Sequence, residues 1–313
     1  ASSLNSRGLI NNNTFNRYNF SIRNTEQLVK DKLVLDVSGS YMRQYKRNPT
    51  IQGLYHNPLV ATYLFPRGDD ITKYQIYERY DANAGYMRQF WPLEFVDGVE
   101  NPYWETNREL FENTAHRYTF TGTLKWNITK WMWVTGRARL DNTSMNYTRK
   151  IYASSNTLFA SEFGNYQDNK INHNNFYGDV LLTIDKKFFN NDFSLLFNLG
   201  ASIMDDVHNA SGFEGHLATI ANKFSVNNIS MTHSQTRPYA DRYRDQTQAI
   251  YTTLQLGYKG MLYLDATLRN EWPSQLAFTK TPNMLYPSVG LSAVISSMAN
   301  LKPAGISFLK VRG

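Results

Sequence analysis

Apolar and polar residues alternate at period two in segments of about ten residues, repeated along nearly the whole chain. That pattern makes strands with one apolar face. Tyr118, Phe120, Gly122, Leu124 and Trp126 alternate with Thr119, Thr121, Thr123 and Lys125. Met132, Val134, Gly136, Ala138 and Leu140 then alternate with Trp133, Thr135, Arg137, Arg139 and Asp141. Further segments run through Phe176 to Asp185, Phe193 to Ile203, Ile250 to Tyr258 and Leu262 to Arg269. Two more strands fit near 14–23 and 32–45, another fits 284–296, and one begins near Ser307.

The connections alternate between short and long. Residues 24–31, 128–131, 186–191 and 258–261 read as tight turns, and 46–115, 147–171, 206–246 and 272–283 as long loops. A soluble sandwich gives no reason for every second connection to be long. An outer-membrane barrel does, with short periplasmic turns and long extracellular loops. The predicted class is therefore all-β: part of an antiparallel transmembrane β-barrel, about nine to ten strands of it, with long extracellular loops.

Composition fits this class. Mean hydropathy is −0.50, and no run approaches the ~18 apolar residues of a membrane helix. Barrel strands are apolar on one face only and average out as polar. The chain has 21 Tyr, 18 Phe and 6 Trp, enough for interfacial girdles or ligand-stacking surfaces. Trp126, Trp131 and Trp133 bracket one short turn, Phe188, Phe189 and Phe193 another, and Tyr258 and Tyr263 a third. The expectation is an aromatic belt at the turn end. The net charge of +7 is scattered over loops and strand ends, which argues against a nucleic-acid partner. Ala1 to Thr14 has neither the charged nor the apolar region of a signal peptide. With no closing partner for the strands, and Val311-Arg312-Gly313 in mid-strand, the expectation is a piece of a longer barrel.

Charged residues fall on the other strand face: Arg137, Arg139, Asp141, Asp179, Asp185, Asp265 and Arg269. On lipid they would cost a few kcal/mol each. Facing a wet interior they can pair with one another. The chain has no cysteine, and no phosphate loop, dinucleotide fingerprint, zinc helix or nucleophile elbow, so no enzyme and no cofactor is expected. His56, His116, His173, His208, His216 and His233 lack ligand spacing. The acidic run Asp97-Gly98-Val99-Glu100-Asn101 lacks the EF-hand pattern and reads as a turn.

The loop 46–115 is the candidate contact region. Its aromatics include Tyr55, Tyr63, Tyr74, Tyr77, Tyr80, Tyr86, Phe90, Trp91, Tyr103 and Trp104. Flat faces in a wet site suit sugar rings or peptide side chains. Tyr86, Trp91, Tyr103 and Trp104 are the predicted substrate contacts; the alternative is that these rings give the loop its own small core.

Several strings resemble the SusC/RagA family of TonB-dependent transporters of Bacteroidetes-type bacteria. They are Tyr55-His56-Asn57-Pro58-Leu59 running on to Leu64-Phe65-Pro66-Arg67, and Asn101-Pro102-Tyr103-Trp104. Tyr258-Lys259-Gly260 follows, with Ala266-Thr267-Leu268-Arg269-Asn270-Glu271-Trp272. Next are Leu285-Tyr286-Pro287-Ser288-Val289-Gly290-Leu291-Ser292 and Ile306 to Gly313. Pro273 stands where the family usually continues with serines.

The resemblance implies a plugged barrel of about 22 strands in a Gram-negative outer membrane. Its plug, TonB-contacting segment and last strands would lie outside these residues. It implies a SusD-like surface lipoprotein as partner, TonB acting through the plug, import of oligosaccharides or peptides, and room for a dimer of transporter–lipoprotein pairs. Active transport rests on the resemblance alone. The residues also admit a passive porin or a soluble glycan-binding β-protein.

Overall fold

The computed structural model describes residues 1–49, 51–93, 99–234, 236–299, 303 and 305–313. Its strands are β1 (Ser2–Arg7), β2 (Thr14–Val29), β3 (Leu33–Arg47), β4 (Glu78–Asp81), β5 (Tyr86–Gln89), β6 (Glu109–Asn127) and β7 (Met132–Tyr152). They continue as β8 (Gly164–Phe188), β9 (Phe193–His216), β10 (Arg237–Tyr258), β11 (Leu262–Pro273), β12 (Met284–Val294) and β13 (Lys310–Arg312). Eleven form one sheet in the order β1-β2-β3-β6-β7-β8-β9-β10-β11-β12-β13, and β4 pairs only with β5. Every pairing in the large sheet is antiparallel. β1 and β13 are its two edges and the sheet does not close. No described helix is long and apolar enough to cross a membrane.

The registers place all the predicted apolar rows on one face. Trp126 opposes Leu33 and Val134, Val134 opposes Leu182, and Leu182 opposes Leu199. Leu256 opposes Leu195 and Leu264, and Leu264 opposes Leu291. Because register pairs share a face, this is one continuous band across the sheet, and its large side chains are exposed: Phe120 58%, Val180 56%, Val289 72%. Such an apolar surface is far beyond what a soluble monomer leaves open, and it has the form of the outward apolar band that membrane barrels carry.

The opposite face is polar and satisfied from within. Arg137 grips Asp179 with two bonds of 3.1 and 2.6 Å, and Arg117 grips Asp141 at 2.8 and 2.6 Å. Thr183 Oγ1 donates to Asn198 Oδ1 at 2.8 Å, and Asn198 Nδ2 donates to Thr253 Oγ1 at 2.9 Å, a ladder across three strands. Gly200 is small because the Tyr251 ring lies over it; a Cβ there would sit 2.4 Å from the ring.

The short turns carry the backbone shapes that their lengths demand. Lys259 (φ 51°) and Gly260 (φ 69°) both take positive φ between β10 and β11. Met261 N–H donates to Tyr258 C=O at 2.8 Å, a tight turn inside a three-residue connection, with Tyr258 pairing with Leu262. Asp31 (φ 58°) closes β2–β3, where the register shifts between Gln27 and Val29.

Three differences from expectation have physical causes. First, β1 pairs with β2 from Ser2 to Arg7 although its sequence is polar; both its faces are exposed, so it carries no alternating signal. Second, β6 to β10 run 19 to 25 residues, about 80 Å for the longest against the ~30 Å that lipid requires. Much of 147–171 and 206–246, read as loop, is strand. The ladder simply continues past the apolar band, where both faces are polar and periodicity disappears. Third, the aromatics at the short turns divide between faces. Trp126, Phe188, Phe193 and Tyr258 belong to the apolar rows, with Phe193 and Tyr258 4.9 Å apart. Trp133 and Tyr263 have the opposite parity and face the polar side, where Lys125 and Lys310 lie over their rings.

Candidate functional site

Between β3 and β6, the described residues of 48–108 fold into a small cap beyond the apolar band. It holds helix α1 (Pro58–Leu64), a single 3-10 turn (Ile71–Gln75), the β4–β5 hairpin and helix α2 (Pro102–Arg108). Its core is Ala61, Tyr74, Trp91 and Val99, with Phe65, Ile71, Phe90 and Leu93 against them. The rings meet at 5.2 to 5.6 Å (Tyr74–Phe90, Phe65–Trp91, Tyr74–Trp91 and Phe65–Tyr74), the spacing of edge-on and offset aromatic pairs.

Asn101 organises this cap and is fully buried. Its Nδ2 donates to the carbonyls of Tyr74 and Phe90, both at 2.9 Å. Its Oδ1 accepts from Tyr103 N–H at 2.9 Å, which caps α2, and its own N–H donates to Gln89 Oε1 at 2.6 Å. Pro102 then starts the helix where no N–H is needed. The string Asn101-Pro102-Tyr103-Trp104 is thus a staple and a helix start. His56-Asn57-Pro58 repeats the device at α1: Asn57 Oδ1 accepts from Leu59 N–H at 3.2 Å. Sequence reasoning matched these strings by resemblance and did not see their structural work; an Asn-Pro pair before a helix was the available signal.

The four predicted contact residues separate. Trp91 and Trp104 are buried, at 3% and 1% exposure. Trp104 Nε1 donates to Ser155 Oγ at 2.8 Å, fastening the cap to the β7–β8 loop. Tyr103 is half-buried and its hydroxyl accepts from Gln75 Nε2 at 3.4 Å. Tyr86 is half-buried on the wall of a cleft of about 450 Å³ shared with Arg88, Gln89, Glu100, Ser154, Asn156 and Glu162. Among the described residues of the cap, the rings most open to solvent are Tyr63 and Tyr80.

Beneath Trp104 lies a group that the sequence did not announce. Glu100, Glu105 and Glu109 are all buried, and one carboxylate oxygen from each lies within 4.8 Å of the others. Glu100 Oε1 accepts from Gln89 Nε2 (3.0 Å) and Asn156 N–H (2.9 Å). Glu109 Oε2 lies 2.7 Å from His56 Nδ1. Burial lifts all three carboxyls well above the ordinary range, and the neighbouring Glu adds to the lift at Glu100 and Glu105. His56 is pulled down to about 4 by burial and then by Arg149, so the His56–Glu109 contact is a hydrogen bond of a neutral ring. Glu100 comes from an extended segment, Glu105 from α2 and Glu109 from the first residue of β6, so no motif spacing joins them. Of the acidic run singled out in the sequence, Asp97 and Gly98 lie outside the described residues.

No family model and no curated protein sequence matches the chain. Solved structures do match. The RagAB peptide transporter aligns over 96% of this chain and 32% of its own, with 14% identity and a TM-score of 0.70. The RagAB peptide importer in the "open-open" state gives the same coverage and score at 13% identity. The ferric-catecholate import receptor Fiu from E. coli K12 aligns over 93% of this chain and 43% of its own, with 10% identity and a TM-score of 0.51. The chain thus spans about a third of the length of the RagAB chains it matches. Its fold is that of the matched portions of the RagAB and Fiu structures.

Proposed function

We propose that these residues form wall and outer loops of a SusC-like TonB-dependent transporter. It would import oligosaccharides or peptides across a Gram-negative, Bacteroidetes-like outer membrane with a SusD-like lipoprotein. The observation that carries this reading is the match to RagAB over 96% of the chain at a TM-score of 0.70, against 0.51 for the siderophore receptor Fiu. RagAB is a peptide transporter by its description, which favours peptide over sugar as cargo here. The two unpaired sheet edges, β1 and β13, favour further strands outside these residues, because an open edge in lipid strands its backbone groups. A plug, and TonB acting through it, belong to the same proposal, as does pairing into a transporter–lipoprotein dimer.

The cap between β3 and β6, within the loop 46–115 of the sequence reading, is extracellular in this proposal. Trp91 and Trp104 then shape the cap from within, while Tyr86 and Tyr103, with the more open Tyr63 and Tyr80, offer ring edges to cargo or to the lipoprotein. The test is uptake of labelled oligopeptides and oligosaccharides by cells carrying the intact protein, with and without TonB. TonB-dependent, saturable peptide uptake supports the proposal. Uptake that is linear in concentration and indifferent to TonB overturns it in favour of a passive pore.

A further inference from the structure

We propose that Glu100, Glu105 and Glu109 bind a hard divalent cation of calcium's class, which clasps the cap to the β7–β8 loop. The geometry comes first. Oxygens sharing one calcium ion at 2.3–2.6 Å can be no farther apart than about 5.2 Å, and one oxygen from each of the three carboxylates lies within 4.8 Å of the others. Unpartnered oxygens are the second observation. Glu100 Oε2, Glu105 Oε2 and Glu109 Oε1 are buried and accept no hydrogen bond from the described residues. A buried carboxylate oxygen left unpaired is costly, and each member of the trio carries one. Space is the third. A cavity of about 30 Å³ is lined by His56, Glu105, Thr106 and Glu109 among others, and Glu100 lines the larger cleft of about 450 Å³.

Charge also balances. Three carboxylates and one dication leave a single negative charge, and the guanidinium of Arg149 acts on Glu109 from the same neighbourhood. All-oxygen ligands exclude soft metals and suit calcium, which tolerates irregular cages better than magnesium. The consequence is mechanical. Glu100 accepts from Asn156 N–H, and Trp104 donates to Ser155, so a cation here locks α2, the start of β6 and residues 155–156 into one unit. The competing way to satisfy the trio is a proton held between the carboxyls, and the experiment separates the two.

The intact protein, purified in detergent and stripped with chelator, is titrated with Tb³⁺ and then with Ca²⁺. The readouts are Trp-sensitised terbium luminescence and thermal unfolding. The expected result is saturable luminescence with about one site per chain, displaced by calcium in the millimolar range or below, and a calcium-dependent rise in melting temperature. Glu105→Gln, close in shape, should weaken terbium binding at least about tenfold while the protein still shows a folded barrel's heat-modifiable gel mobility. Glu162→Gln, on the cleft wall, should leave binding unchanged. Two results overturn the inference. One is no luminescence and no thermal shift up to about 10 mM calcium in folded protein. The other is full binding retained in Glu105→Gln. Either leaves the transport reading untouched, because no uptake is measured.

Discussion

Single side chains decide the cap more than its composition does. The buried Asn101 side chain makes three hydrogen bonds, so Asn101→Ala should cost roughly 3–5 kcal/mol of local stability. Hydrogen exchange over residues 58–104 should rise sharply while the strands stay protected. Asp70 is a milder, pH-dependent case. Its carboxylate accepts from Thr72 Oγ1 (2.7 Å) and Thr72 N–H (2.9 Å), and those bonds hold it below its ordinary 3.8. A lowered carboxyl contributes fully above that value and is lost as pH falls through its folded value. The 3-10 turn at Ile71–Gln75 should therefore loosen only below about pH 4, read by exchange corrected for intrinsic rates. The density of aromatics in 46–115 made a loop core legible. Which rings would be inside was not legible, because burial of Trp91 and Trp104 depends on Asn101 and Ser155 bonds between segments far apart in sequence.

At the scale of the strand, parity governs everything. Leu124 faces the apolar band and Thr123 the polar side, one residue apart. Leu124→Arg should cost about 2–4 kcal/mol in denaturant unfolding from vesicles, and Thr123→Arg close to nothing. Breaking an inner pair is different. Arg137→Met leaves the buried Asp179 without its bidentate partner and should cost about 3 kcal/mol. The strands of the band were legible from alternation, and the turns from their length. The polar extensions of β7 and β8 were not, since Asn142 bonds across to Asn172 and Asn174 and such residues give no hydrophobic period. β1 was hidden for the same reason. The carboxylate trio was illegible because it assembles from an extended segment, a helix and a strand.

At the scale of the whole molecule, the proposed wall has lipid on one side and a polar interior on the other. The likeness to RagAB supports it through fold, at 14% identity, which is why sequence comparison alone does not reach it. The chain contains no cysteine, so single cysteines can be placed along β6 and β9 of the intact protein in its native membrane and spin-labelled. The decisive measurement is the accessibility of each label to oxygen, which partitions into lipid, and to a water-soluble nickel chelate. Labels at 120, 124, 197 and 199 should favour oxygen, and labels at 119, 123, 196 and 198 the chelate, alternating with period two. Equal chelate access on both faces would contradict a lipid-facing wall and return the chain to a soluble β-protein.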